Sequence, residues 1–188
     1  MKLSYFIFGL FYTTVVTGQE FRPDTTVNNI RLENGRSFID KFKRDTLKIW
    51  GRFKETGDED FPFVDFQNQN GTQILKLIFH PGNWTNRFSE FKIQYAGAYT
   101  EKDKAIRIDD KEFVTEKGIK LGTSKTDLIK RIGKPTTIQN LNGSEKIEYR
   151  TNDEKSNFLR QYGKIEYFAI YTIVDGKVNE FHFGFIYP

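Results

Sequence analysis

The chain has no cysteine among its 188 residues. That absence excludes disulfides, thiolate metal sites, cysteine nucleophiles and the acylated N-terminal cysteine of a lipoprotein. Histidine is scarce as well: only His80 and His182 occur. A metal centre wants three or more ligands at set spacings, and no His-x-x-x-His or similar pattern is present. A G-x-S-x-G run is missing, and Gly122 is not followed by the Gly-Lys-Ser/Thr run of a phosphate-cradling loop. Asp109 and Asp110 are adjacent carboxylates, but neighbours on a strand point to opposite faces. The expectation is a protein with no enzymatic activity, no cofactor and no metal.

Charge of one sign in a long stretch is also lacking. Lys and Arg number 29 against 25 Asp and Glu, a net +4, and they alternate in runs such as Glu101-Lys102-Asp103-Lys104. A mixed surface of this kind predicts no nucleic-acid partner. What the chain does have is aromatic residues, 19 Phe and 9 Tyr, enough for a packed core.

The only long apolar run is Leu3 to Val16, preceded by Lys2 and followed by the small exit Thr17-Gly18. It reads as a signal peptide over residues 1–18, too short for a membrane span. The mature chain then starts near Gln19, is secreted or periplasmic, and carries no integral membrane segment.

Residues 20–29 read as an irregular lead-in, followed by alternation at Ile30-Arg31-Leu32. Phe38, Ile39 and Phe42 have the spacing of a helix face. Lys54 to Asp60 is a polar loop. Phe61–Gln67 and Gln73–His80 flank Asn70-Gly71, a hairpin signal. Centring the turn there puts Phe66 opposite Leu75, Val64 opposite Leu77 and Asp65 opposite Lys76. Phe91, Ile93 and Tyr95 alternate as a third strand. Asn83 to Asn86 reads as a turn-rich loop, and Ala96 to Lys104 as a break between halves. Ala105 to Ile108 is a short strand, Thr136 to Gln139 another, and Lys146 to Thr151 follows the turn Asn142-Gly143. Three Asn-x-Ser/Thr sequons, at Asn70, Asn83 and Asn142, fall in these turns, where Asn serves the backbone.

The best-marked helix lies in Gly118–Pro135. Ser124 or Thr123 caps it, Asp127 suits its positive start, and Leu128, Ile129 and Ile132 form an apolar stripe. Gly133 and Pro135 stop it. With its Gly-Thr-Ser start and Gly-Lys-Pro exit, this stretch resembles the exported modules related to β-lactamase inhibitor protein and the SmpA/BamE envelope lipoproteins. The resemblance covers mainly the second half. It implies a helical layer on an antiparallel sheet. The lipid-anchoring cysteine of BamE-type proteins and the disulfides of the inhibitor protein are both absent here, and no inhibitory contact residue transfers. Ile30–Phe42 faintly parallels Ile119–Ile132. The organisation expected is therefore α+β in two tandem modules, residues 19–97 and 98–188.

Two long strands, Lys164–Val174 and Lys177–Tyr187, close the chain around Asp175-Gly176. Unbroken pairing puts Phe168 with Phe183 and Ile170 with Phe181 on a core face. The other face then collects Tyr167 beside Gly184, Ala169 beside His182 and Tyr171 beside Glu180. Tyr167, Tyr171, Glu180 and His182 are thus the candidate binding surface, tyrosines being apt for protein recognition. The functional expectation is an exported protein-binding module, inhibitory or envelope-assembling, with another protein as partner. The alternative is a small-ligand binder or enzyme using that same face.

Overall fold

The computed structural model describes residues 21–42, 62–80, 88–99 and 105–186. The expected signal peptide and the loops at 54–60 and 83–86 lie outside them.

The lead-in is more ordered than expected. β1 (Thr26–Val27) and β2 (Ile30–Arg31) form a small hairpin whose turn residues Asn28 and Asn29 sit at φ 46° and 70°. Asn tolerates this left-handed region better than most residues. α1 (Gly35–Phe42) follows, its first turn capped by Asn34, whose side-chain oxygen accepts the Ser37 N–H at 3.1 Å.

Eight strands then make one sheet, in the order β6-β3-β4-β5-β10-β9-β8-β7. They are β3 (Phe63–Gln67), β4 (Gln73–Phe79), β5 (Phe88–Tyr95), β6 (Ile106–Arg107), β7 (Thr137–Leu141), β8 (Ser144–Thr151), β9 (Tyr167–Val174) and β10 (Lys177–Phe185). β6 runs parallel to β3, and every other pairing is antiparallel. The architecture is α+β, dominated by its sheet. Strands from both sides of the 97/98 boundary belong to it, joined where β5 pairs with β10.

α2 (Lys125–Ile132) forms where the stripe and caps predict: the Ser124 hydroxyl accepts the Asp127 N–H, and Gly133 stops the helix at φ 108°. α3 (Asn157–Tyr162) is a short helix in a stretch to which the sequence reading assigns no element. Ser156 caps it and Gly163, at φ 64°, ends it. The three α-helices of the described residues cover the same face of the sheet. Phe38 packs near Phe66, Phe79 and Phe88, Phe158 stacks on Phe185, and Tyr149 donates to the Gly133 carbonyl at 3.1 Å. Leu128, Ile132 and Leu159 join the same buried cluster. Each large apolar side chain buried in this way contributes about 1.5–3 kcal/mol.

The β3–β4 register is the one the turn arithmetic gives, with Phe66 opposite Leu75, Val64 opposite Leu77 and Asp65 opposite Lys76. The β9–β10 register is not. Asp175 and Gly176, at φ 50° and 71°, make the expected turn, but a bulge between Val178 and Glu180 inserts Asn179. Beyond it every pair moves by one: Tyr171 faces Phe181, Ile170 faces His182, Ala169 faces Phe183 and Phe168 faces Gly184. A one-residue slip exchanges the faces of a strand. The physical cause is the spacing of Val178 and Phe181, both buried. Residues three apart on a regular strand point oppositely, and an extra residue brings both into the core. Phe88 and Phe91 repeat the pattern on β5, where a second bulge at Ser89 lets both turn inward.

Candidate functional site

The bulge corrects the expected surface. Tyr167 and Tyr171 lie on the helix side, fully buried, not on the outer face with Glu180 and His182. Tyr171 stacks on Phe181 at 5.8 Å and meets Tyr149 edge-on at 5.9 Å. The Tyr167 hydroxyl donates to the Asp24 carbonyl at 2.7 Å. Burial pushes both phenols well above their ordinary pKa. Neither can reach a partner from there. Phe168 and Ile170, expected on the helix side, instead share the outer face with His182 and Glu180; Phe168 is buried there all the same, and Ile170 is half-buried.

That outer face is best described at the β5–β10 seam. His182 lies directly opposite Lys92, Glu180 opposite Gln94, and Gly184 opposite Glu90. The contacts run diagonally: His182 Nε2 is 2.6 Å from Glu90 Oε2, and Lys92 Nζ is 3.2 Å from Glu180 Oε1. Phe168 presents its ring edge-on to His182 at 4.8 Å. Ile170 and Thr172 continue the rows on β9, and Glu148 and Lys146 continue them on β8. Lys92, Glu180 and His182 keep 34%, 33% and 27% of their side chains exposed. Among the described residues no helix lies over this stretch of β5, β10, β9 and β8.

Gly184 makes the seam possible. A Cβ there would lie 2.1 Å from the Ser89 carbonyl oxygen and 2.7 Å from Glu90 Cα. The β5 bulge therefore presses directly on β10. The β3–β4 end of the same face is closed instead: Phe63, Asp65 and Ile74 are buried. There Lys76 Nζ sits 3.2 Å above the Phe63 ring and 3.4 Å from Asp65, which also accepts the Tyr99 hydroxyl.

Two further polar clusters went unread in the sequence. Glu33, His80 and Lys164 meet from three distant segments. His80 Nε2 lies 2.5 Å from Glu33 Oε1, and Lys164 Nζ lies 3.1 Å from that oxygen and 3.0 Å from the imidazole. Burial opposes the Glu33 charge, but the hydrogen bonds and charges of His80 and Lys164 outweigh it and hold the carboxyl below its usual range. Glu33 also adopts φ 59°, uncommon for a residue with a side chain. The Glu33 group ties the start of α1 to the ends of β4 and α3.

The second cluster surrounds Asp24. Its Oδ1 accepts the Lys117 N–H at 3.2 Å and lies 3.6 Å from Lys117 Nζ, while Glu116 accepts from the Thr25 N–H and hydroxyl. Burial dominates over these partners and raises the Asp24 carboxyl to about 6. Lys117 also donates to the Pro23 carbonyl at 2.7 Å, and Asn28 binds both Val114 and Glu112. The cluster thus straps residues 22–34 to residues 112–121. It is a fastening, with no open path to its groups apparent among the described residues.

Of the expected site residues, Glu180 and His182 stand together and gain Glu90 and Lys92 as neighbours. The alternation of Lys92 and Gln94 on a strand was visible, but not that this strand pairs with β10. Asp110, one of the adjacent carboxylates, is engaged by Lys41 Nζ at 2.8 Å. Among the described residues no three His, Asp or Glu side chains gather to hold a metal, and no helix is long and apolar enough to cross a membrane. Comparison with known proteins found no matching family model, no matching curated protein and no matching solved structure.

Proposed function

We propose that this is an exported, non-enzymatic protein-binding module whose partner docks on the outer face of the sheet across the β5–β10 seam. One observation carries the reading: a four-strand-wide surface in which half-buried Ile170 and Thr172, with Phe168 buried beside them, are set among Glu90, Lys92, Glu180 and His182. Interfaces combine an apolar centre with a polar, hydrogen-bonding surround. Both signs of charge occur here at close spacing. The matching partner is a folded protein surface that is itself of mixed charge, not a polyanion. Export rests on Lys2, the apolar run to Val16 and the small residues that follow.

The same proposal includes two tandem modules. Each half runs helix, then antiparallel strands, α1 with β3–β5 and α2 with β7–β10. Such a pair fits the resemblance of residues 118–135 to the inhibitor-protein and SmpA/BamE modules.

The test is affinity capture from envelope extract with the wild-type chain and with Ile170→Arg. A partner retained by the wild type and lost by the folded variant supports the seam as the docking surface. A partner held equally by both places binding elsewhere.

A further inference from the structure

At the far end of β8 the described residues line an open pocket of about 480 Å³, in which Arg150, Asp153, Lys155 and Asn157 are exposed to solvent. That size suits a small ligand. Its apolar walls are Phe21 and Phe158. Both rings are fixed from behind: Phe21 stacks on Tyr149 at 5.0 Å and Phe158 on Phe185 at 5.7 Å. The gap between them is therefore held open by the core, not by the ligand.

The polar lining is dominated by donors. Arg150 is anchored through Nε to Glu148 and through Nη1 to Glu166, and neither of those carboxylates lines the pocket. Its Nη2 makes no hydrogen bond with a described residue. Ser156 Oγ accepts the Leu159 N–H at 3.4 Å, which leaves its O–H to donate. Asn157 Oδ1 accepts from Arg160 at 2.5 Å, which leaves its amide N–H groups. Lys155 adds an ammonium with no partner among the described residues. Asp153 is the one carboxylate in the lining, and its Oδ1 is occupied by the Lys155 N–H at 2.9 Å. Arg150, Lys155, Ser156 and Asn157 thus offer donors, Thr151 adds a hydroxyl, and Asp153 is the one carboxylate among them.

We infer that this pocket is a binding site for a small monoanionic carboxylate carrying an apolar body of about ring size. The apolar body lies between Phe21 and Phe158, and the carboxylate meets Arg150 Nη2, the Ser156 hydroxyl and Lys155. A guanidinium held by two carboxylates is already oriented, so little ordering remains for the ligand to impose. A cationic or neutral ring finds the same walls but loses the donors, which discriminates by charge. The site adjoins the outer face through Arg150, which lies opposite Phe168 on β9, but its ligand and its test do not rest on the docking reading.

Phenylacetate is the probe, with benzylamine as its cationic counterpart. Titration of the purified protein is followed by amide resonances. Phenylacetate shifts the resonances of residues 150–158, benzylamine does not, and Lys155→Gln weakens phenylacetate about tenfold, the worth of one charge-assisted hydrogen bond. Arg150→Gln weakens it further, provided the variant still folds. The Lys155 ammonium makes no contact among the described residues, so its variant reports on binding even if the Arg150 one does not fold. Silence at about 10 mM phenylacetate, where a Kd of about 1 mM would nearly saturate, overturns the assignment. So does equal binding of benzylamine, a response confined to other residues, or unchanged affinity in Lys155→Gln.

Discussion

On the helix side of the sheet, Phe91, Phe181 and Phe183 are completely buried. One residue along the same strands, on the other side, Lys92, Glu180 and His182 keep between a quarter and a third of their side chains in solvent. The backbone is shared, so the difference lies wholly in what each face touches. The helix side is an aromatic interior with ring centroids about 5–6 Å apart, as between Phe91 and Phe183 at 5.3 Å. The outer side is a lattice of charge pairs that can form in water just as well. One face holds the fold, and the β5–β10 part of the other is where the proposed partner docks. Substitutions that cross or mix the two faces should therefore separate stability from recognition.

The largest loss is expected from Phe183→Ala, about 3–5 kcal/mol, because it empties a fully buried ring site at the seam. Denaturant unfolding measures it. Next comes the one strongly raised carboxyl beneath the helices. Asp24 holds its proton more tightly folded, at about 6, than its ordinary 3.8 allows. Its contribution is therefore most favourable below about pH 4 and is lost as pH rises through about 6, a cost of about 3 kcal/mol. Asp24→Asn should flatten that slope. Glu33 has the opposite sign: its lowered carboxyl stabilises above 4.5 and the gain disappears as pH falls. Unfolding midpoints of the wild type, Asp24→Asn and Glu33→Gln, measured from about pH 3 to pH 8, distinguish the two.

Gly184→Ala comes third. Its Cβ points outward but strikes the β5 backbone at Ser89 and Glu90, so about 1–3 kcal/mol is lost to overpacking. Amide exchange should quicken first along β5 and β10. The smallest effect belongs to Lys92→Ala. It removes a half-solvated pair with Glu180 and should change stability by less than about 1 kcal/mol in the same unfolding experiment.

The contrast between faces also explains which features could be read from the residues alone. The β3–β4 register follows from Asn70-Gly71 and from pairing apolar with apolar, because nothing interrupts either strand. α2 follows from Ser124, Asp127 and Gly133, all within one local stretch. Strict alternation carried through Asn179 exchanges the β9–β10 faces, because the bulge there shifts the register by one. The correcting signal was present in Val178 and Phe181, two apolar residues three apart, and Phe88 with Phe91 repeats it. α3 spans only six residues, too few for an apolar stripe, although Ser156 and Gly163 mark its ends. The seam could not be read locally at all. Glu90 and His182 stand 92 positions apart, and only the sheet order brings them together. Glu33, His80 and Lys164 converge in the same non-local way.

The central claim is that the outer face serves recognition and the inner face serves stability. Ile170 and Tyr171 are consecutive residues of β9 pointing to opposite sides, so one pair of variants tests it. Ile170→Arg should leave the unfolding midpoint nearly unchanged and abolish partner capture, while Tyr171→Ala should cost several kcal/mol, about the cost of emptying a buried aromatic site. If Ile170→Arg instead unfolds the protein, that face is covered and structural, and the account fails.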